Sequence, residues 1–368
     1  MKSAECKLNR GSKQRCKSTK GCWNFMVKSN PESLWKQYIH TPVLKKEVIQ
    51  YIQPRSRRIY LDCTVGLGGH ASAILENSSP DGRLIGIDLD KEAIAIAKKN
   101  LSRFQNRVTL IHGNFAHLDK ILQKLDISSV DGILMDLGVS SLQLETPQRG
   151  FSFLKSGSLD MRMDRNCPSS AKEGESSHER ELWVSEENIV TAERELNTRS
   201  KEELTEIFYK FGEERWADRI ASEIVKARAK QPILNTLQLV DIIKRAIPQT
   251  SRQSKIHPAT RVFQALRIHV NQELDNLEFG LKHIVKALRP GGVICAISFH
   301  SLEDRIIKQT FRFLSRKCIC PPRAPICMCN HKPSLKLLTP KPIIPQSEEI
   351  QQNPRARSAK LRAAMALL

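Results

Sequence analysis

The chain has 368 residues, 40% of them hydrophobic and 27% charged, which is typical of a globular protein with a substantial buried core. No apolar run approaches the ~18 to 20 residues of a membrane helix and no signal-peptide pattern opens the chain, so we expect a cytoplasmic protein without a membrane anchor. Lys and Arg outnumber Asp and Glu by 59 to 39, and this net charge of +20 favours nucleic acid as partner over a merely solvated basic surface.

Residues 1–38 are predicted to form a basic disordered arm. The first 30 residues contain eight Lys and Arg against one acid, with almost no apolar periodicity. Such a composition also permits an organellar targeting segment, although a clear amphipathic arginine face is missing. The helical spacing of apolar residues in HTPVLKKEVIQYI predicts a first helix within His40–Ile52.

From Arg58 to Gly138 the sequence alternates between apolar strands and helical segments. Strands are expected at Ile59–Cys63, Leu84–Asp88, Val108–His112 and Gly132–Asp136, and helices near His70–Glu76, Lys91–Phe104 and Phe115–Leu125. This alternation implies a parallel sheet with right-handed crossovers. In such a sheet the ligand binds at the carboxyl edge of the strands.

The pattern changes after Asp136. Residues 139–165 are predicted to form a long ordered loop over the ligand site, and residues 166–189 a flexible polar insertion. Helices are then expected at Ser200–Phe211, Glu213–Lys230 and Thr236–Ile247, before a strand GVICAISF and a helix Leu302–Leu314 return to the sheet. We therefore divide the chain into a discontinuous sheet domain, residues 39–143 and 258–368 with a basic C-terminal tail, and a helical insert domain, residues 144–257.

A glycine-rich turn, DCTVGLGGH, follows the first predicted strand. Asp88 ends the second strand, where a carboxylate can accept both hydroxyls of a ribose. The spacing DxxxGxGG differs from the GxGxxG of dinucleotide sites, so the turn is less suited to a pyrophosphate. It fits better a cofactor with a ribose but no phosphate, namely S-adenosylmethionine, and a dinucleotide oxidoreductase is a distant alternative.

Two further residues are placed at the same edge. Phe115, after the third strand, either flanks an adenine or is an ordinary core residue at a helix start. Asp136 ends the fourth strand, where it either lies beside cofactor and substrate or caps a local turn. The position of Asp136 at the carboxyl edge favours the functional interpretation.

The chain resembles the ribosomal RNA small-subunit cytosine N4-methyltransferases, the MraW/RsmH family, from about residue 40 to residue 362. The resemblance is carried, in order, by HTPVL, DCTVGLGGH, GIDLD, HGNF, DLGVSSLQL, RGFSF, LDMRMD, LNTRS, HPATRVFQALRIHVNQEL, LRPGG, ISFHSLEDRIIK and NPRARSAKLR. It implies an α/β fold, a Rossmann-like S-adenosylmethionine-dependent methyltransferase sheet with an inserted helical domain. It also implies methylation of the exocyclic N4 of a cytidine in the decoding region of small-subunit (16S) ribosomal RNA.

By the same resemblance, the cofactor-binding residues are Gly68, Gly69, His70, Asp88, Phe115, Asp136 and Gln143. The expected partner is small-subunit ribosomal RNA or an assembling small ribosomal subunit. The alternative is a non-catalytic RNA-binding assembly factor on the same fold, which would have no need of an intact cofactor turn.

Methylation at N4 needs a hydrogen-bond acceptor for the amino hydrogens, and Asp136 or a nearby backbone carbonyl is the candidate. Ser298, His300 and Glu303 follow the last strand and are candidates to assist in proton removal. Arg261, Gln264, Arg267 and Asn271 share one helix face, which we expect to contact RNA phosphates or the loop over the ligand site. The basic segment Asn353–Arg362 is expected to contact the RNA backbone.

Four of the ten cysteines form the pattern CxC, six residues, CxC at Cys318, Cys320, Cys327 and Cys329. Four thiolates suit Zn²⁺, but structural zinc pairs are usually separated by two residues or more, and a one-residue gap strains tetrahedral binding. Reduced cysteines in a proline-rich loop, which can pair adventitiously, are therefore favoured, and a zinc site is the alternative that the sequence leaves open.

Overall fold

The computed structural model describes residues 42–165, 190–249, 257–321 and 328–367. The predicted basic arm and the predicted insertion at 166–189 lie outside these residues. Among the helices within them, none is both long and apolar enough to cross a membrane.

A seven-stranded sheet organises the molecule. Its strands are β1 (Ile59–Asp62), β2 (Arg83–Asp88), β3 (Val108–His112), β4 (Val130–Asp136), β5 (Leu288–Ser298), β6 (Leu335–Leu337) and β7 (Lys360–Ala366). Their spatial order is β3-β2-β1-β4-β5-β7-β6. The first five strands are parallel, whereas β7 runs antiparallel to both β5 and β6. The predicted α/β fold is confirmed, and so is the return of the chain to the same sheet at β5.

The helices are α1 (Lys45–Ile52), α2 (Gly69–Asn77), α3 (Lys91–Asn100), α4 (Leu118–Lys124), α5 (Ser141–Glu145), α6 (Ala192–Thr198), α7 (Lys201–Gly212), α8 (Ala217–Arg228), α9 (Thr236–Ala246), α10 (Thr260–Asn271), α11 (Glu273–Lys286), α12 (Ser301–Leu314) and α13 (Ser347–Gln352). Successive strand residues point to opposite faces of the sheet, and both faces are covered. Tyr60 packs with α1 and α2 on one face, while the adjacent Leu61 packs with α4, α11 and α12 on the other.

A third hydrophobic cluster is formed by α6 to α10 together with residues of the 139–165 loop. The N-caps Ser200 and Asn235 begin α7 and α9, and each forms a reciprocal capping box with a side chain three residues later. Helix α10 buries Val262, Phe263 and Leu266 in this cluster, although it follows the predicted end of the insert at residue 257. The division into domains stays a prediction.

The segment Asn353–Arg362 was predicted as a basic tail, but its last three residues belong to β7, which lies between β5 and β6. Leu361, Ala363 and Ala364 are buried, and the Arg362 guanidinium is also buried, 2.7 Å from the Asp304 carboxylate. The basic residues made this strand look exposed, although five of its seven residues are buried.

Candidate active site

A cavity of about 210 Å³ opens at the carboxyl edge of the sheet, where β1, β2 and β4 end. Its wall includes residues of the glycine-rich turn, of the three strand ends and of α11, together with Glu303 and Arg355. Predicted site residues that line it are Gly69, His70, Asp88, Phe115, Asp136, Gln143 and Glu303, together with Asn271. Gly68, Ser298 and His300 are not among the lining residues in the part of the chain that the structure describes.

Gly68 shapes the turn rather than the cavity wall. Its φ of +88° lies in the left-handed region, which favours glycine, and it precedes α2. At the next position a Cβ would lie 2.6 Å from Cγ of Pro42, so Gly69 is required by close packing. The two glycines therefore serve different purposes: one permits the turn and the other lets residue 42 approach the cavity.

Asp88 is fixed by the turn that it faces. Its two carboxylate oxygens accept the backbone N–H groups of Gly66 at 2.7 Å and Asp90 at 2.8 Å. Burial raises the pKa of Asp88 to about 6, although both N–H groups act in the opposite direction. A carboxylate oxygen can accept more than one hydrogen bond, so acceptor capacity remains for two hydroxyl groups.

His70 and Asp136 form the most unusual pair in the cavity. Nε2 of His70 lies 3.6 Å from Oδ2 of Asp136, which is long for a hydrogen bond. Nε2 of His70 and Oδ1 of Asp136 are buried, and neither has a hydrogen-bond partner among the described residues. Buried polar atoms of native proteins are nearly always paired, so these two atoms are candidates to contact a ligand.

Another buried acid, Asp62, is linked to Asp136 through Thr64. It is buried at the end of β1 and accepts the backbone N–H of Thr64, whose hydroxyl in turn accepts the N–H of Asp136 at 2.7 Å. Burial raises the pKa of Asp62 to about 7, while the charge of His70 lowers it and that of Asp136 raises it further. Asp62 was not among the predicted site residues, although its place at a strand end was the available signal.

Gln143 reaches the cavity from α5 but its amide is engaged. Its Oε1 accepts the N–H of Ser140 in a capping box, and its Nε2 donates to Oδ2 of Asp90 at 3.0 Å. Arg149 also binds Asp90, at 2.8 Å, and donates to the carbonyls of Arg162 and Met163. Arg149 is 1% exposed and holds together the loop over the cavity, a role for which its motif RGFSF gave no signal.

Phe115 fits both of the interpretations that the sequence left open. It belongs to the hydrophobic cluster beneath β1 and β2 and also forms part of the cavity wall. Nearby, Asn114 donates to Asn276, and Asn276 donates to the carbonyl of Asn271, so that α11 is tied to the end of β3.

Ser298 and His300 are used by the scaffold. The Ser298 hydroxyl donates to the Lys360 carbonyl of β7 at 3.4 Å. His300 is the N-cap of α12, where its Nδ1 accepts the N–H of Glu303. These polar groups thus contact the last strand and the following helix, and the catalytic roles of Ser298 and His300 stay predictions.

Glu303 lies in the cavity wall within a charged cluster. Burial raises its pKa, but the imidazole of His300 and the charge of Arg267 outweigh burial and hold the pKa below its usual value. Arg267 forms two hydrogen bonds of 2.8 Å with Glu273 and is therefore bound within the protein.

The face of α10 that carries Arg261, Gln264, Arg267 and Asn271 makes contacts inside the protein. Asn271 donates to the carbonyl of Met161 and accepts the N–H of Met163, as expected for a contact with the loop over the cavity. Arg261 and Gln264 donate to backbone carbonyls at the end of α7.

Comparisons with known proteins identify the family. The sequence model of the MraW methylase family matches residues 37–183 and 181–367. The chain belongs to the MraW methylase family. The "Ribosomal RNA small subunit methyltransferase H" of Halothermothrix orenii is 50% identical over 329 residues, which are 89% of this chain and 99% of the relative. The protein of that name from Syntrophotalea carbinolica is 50% identical, over 88% of this chain and 96% of its own length. The one from Geobacter sulfurreducens is 48% identical, over 89% of this chain and 98% of its own length.

The cofactor of this MraW methylase is S-adenosylmethionine, and the cavity suits it. Asp88 retains acceptor capacity for the hydroxyls of a ribose, and Phe115 offers an apolar wall. His70 and Asp136, whose buried Nε2 and Oδ1 have no hydrogen-bond partner among the described residues, line the same cavity. Asp62, Arg149 and Asn276 hold these residues in place through hydrogen bonds. Sequence spacing gave a signal for Asp62 only, as the acid of the DxxxGxGG turn.

Proposed function

We propose that this protein transfers the methyl group of S-adenosylmethionine to the exocyclic N4 of a cytidine in the decoding region of small-subunit ribosomal RNA. The observation that carries the proposal is the unpaired Oδ1 of Asp136, which lies at the carboxyl edge of β4 in the wall of the cofactor cavity. The printed names of the relatives and the net charge of +20 support an RNA substrate.

In the reaction, a bond forms between N4 and the methyl carbon, and the bond between that carbon and sulfur breaks, with its electron pair staying on sulfur. N4 loses one proton, which passes to the Asp136 carboxylate and from there to solvent. The bound cofactor supplies an electrophilic methyl group on a sulfonium. The N4 lone pair is delocalised into the cytosine ring, so the base must leave its stack and its amine must be aimed along the line of transfer.

In this proposal Asp136 accepts a hydrogen bond from the N4 amino group and stabilises the positive charge that develops there. His70, 3.6 Å away, keeps the Asp136 carboxylate in place. Asp88 holds the ribose of the cofactor, and Gly69, Phe115 and Gln143 shape the remaining wall.

The second candidate is a non-catalytic RNA-binding assembly factor. It is disfavoured because the turn at Gly66–His70 and the Asp88 carboxylate keep a geometry that RNA binding does not require. Calorimetric titration of the purified protein with S-adenosylmethionine separates the two candidates: micromolar or tighter binding supports the enzyme, and absence of binding supports the assembly factor.

The substrate is tested by mapping modified cytidines in ribosomal RNA from cells with and without this protein. We expect one N4-methyl mark in the decoding region of the small subunit to disappear without the protein and to return with the wild-type gene. Loss of a mark on the large subunit or on transfer RNA instead would contradict the proposed substrate.

A further inference from the structure

The segment between α12 and β6 brings cysteine sulfurs together away from the active site. The Sγ atoms of Cys318, Cys320 and Cys329 all lie within 4.8 Å of one another. None of the three residues lines the cofactor cavity. Cys327, the remaining cysteine of the double CxC pattern, lies outside the described residues.

The spacing of these sulfurs matches that of ligands around one metal ion. Sγ of Cys318 and Sγ of Cys329 are 3.7 Å apart, too far for a disulfide bond. With zinc–sulfur bonds of ~2.3 Å, two thiolates at tetrahedral positions lie ~3.8 Å apart. The one-residue gap, which argued against a zinc site at the level of sequence, is therefore compatible with such a site in the folded chain.

Backbone N–H groups surround the same sulfurs. Cys329 accepts from Ile319, Cys318 accepts from Cys320, and Cys320 accepts from Met328, each at 3.4 Å. The thiolate is the form of cysteine that binds a metal, and a metal-bound thiolate can still accept hydrogen bonds. The three sulfurs therefore share surroundings that suit metal ligands.

The described part of the segment has no hydrophobic core of its own. Its ends are joined, because the N–H of Ser334 donates to the carbonyl of Leu314. Among the described residues 315–321 and 328–334 no side chain is buried, and Met328 is 83% exposed. A segment that buries so little apolar surface needs another source of stability, which small metal-binding units obtain from the ion.

We propose that Cys318, Cys320 and Cys329 bind a structural Zn²⁺ ion as thiolates. The ion fixes the segment that connects α12 to the edge strand β6 and has no part in methyl transfer. Binding displaces the thiol protons, so affinity for zinc falls as the pH is lowered.

The test uses the full chain, purified under reducing conditions without chelator. We expect about one zinc per chain by elemental mass spectrometry, because the three sulfurs converge on a single position. Cys318→Ser, Cys320→Ser and Cys329→Ser should each lose most of it. Met328→Ser is the matched control, because it changes an exposed side chain of the same segment and leaves every thiol in place, and it should retain the zinc.

Cobalt provides a readout on the wild-type protein, which does not depend on the folding of a variant. Added Co²⁺ should give the sulfur-to-metal charge-transfer absorption of a thiolate site. In a separate experiment, chelation should lower the melting temperature of wild type more than that of Cys318→Ser. The proposal is overturned if wild type contains no stoichiometric zinc and gives no charge-transfer band with cobalt. Full zinc content in all three cysteine variants, or a disulfide within the segment in protein without metal, would also overturn it.

Discussion

Three aspartates at neighbouring strand ends have different surroundings and therefore different properties. Asp62 is buried and its pKa is raised to about 7, Asp88 is fixed by two backbone N–H groups, and Asp136 keeps an unpaired oxygen. The positions of Asp88 and Asp136 could be predicted, because acids at the carboxyl ends of parallel strands converge. The hydrogen-bond partners of each carboxylate could not be predicted, because they come from segments that are distant in the sequence.

Replacement of Asp136 tests its proposed role in methyl transfer. Asp136→Asn keeps the shape of the side chain but weakens the acceptor, so we expect the single-turnover rate to fall by about 100-fold or more. Affinity for S-adenosylmethionine, measured by calorimetry, should change only a few-fold. Asp119→Asn, an exposed acid at the start of α4, is the control and should be as active as wild type. Full activity of Asp136→Asn would eliminate the role, and loss of cofactor binding alone would make Asp136 a cofactor ligand.

Cofactor affinity should depend on pH through Asp88. The pKa of Asp88 is raised to about 6 by burial, and ribose hydroxyls donate to its ionised form. Affinity is therefore full above the folded pKa and should fall as the pH drops below about 6, by up to about tenfold per pH unit. Calorimetry between pH 7.5 and pH 5 measures this dependence.

Asp88→Asn separates this carboxylate from other groups that titrate in the same range, including Asp62. The variant should bind more weakly at pH 7.5 and lose the step near pH 6. Equal pH dependence in wild type and variant would show that another group is responsible.

At the scale of elements, the positions of most helices and strands were predicted, but their ends depended on long-range contacts. Helix α1 begins at Lys45 rather than near His40, because Leu44 adopts a left-handed conformation and its N–H donates to Glu349, 305 residues away. The predicted helix to Phe104 ends at Asn100 and continues as a short 3-10 turn. Apolar periodicity cannot specify such ends, because they are determined by tertiary partners.

The N-terminus of α12 distinguishes a cap from a catalytic residue. We expect His300→Ala to lower the free energy of unfolding by about 1 kcal/mol, whereas His300→Asn retains a good N-cap and most of the stability. Denaturant unfolding measures the stability of both variants. Methyl transfer at saturating cofactor measures whether His300→Asn keeps wild-type activity, as expected of a residue that only caps the helix. A stable His300→Asn variant that is 100-fold slower would instead support the catalytic interpretation.

At the scale of the molecule, the five parallel strands could be predicted from the alternation of strands and helices, whereas β6 and β7 could not. Strand β7 pairs with β5 from 62 residues away between Ser298 and Lys360, and it separates β5 from β6. The buried pair of Asp304 and Arg362 ties this added strand to α12. A short basic strand of this kind resembles a solvated tail until its partners are known.

Removal of one member of this pair should be costly for the whole fold. Asp304→Ala leaves the Arg362 guanidinium buried without its carboxylate, so we expect the free energy of unfolding to fall by about 3 to 5 kcal/mol. The double variant Asp304→Leu, Arg362→Met should recover part of this loss, because it removes both charges. Urea unfolding monitored by circular dichroism checks both, and a change below about 1 kcal/mol in the single variant would mean that the pair is well solvated.

The loop over the cavity is held in place by hydrogen bonds to its own backbone. Arg149 and Asn271 bind the loop through its own backbone carbonyls, so its conformational entropy is already lost when the chain folds. Binding then requires little further ordering, and more of the contact energy contributes to affinity. The wall that the loop contributes is therefore in place before the cofactor arrives.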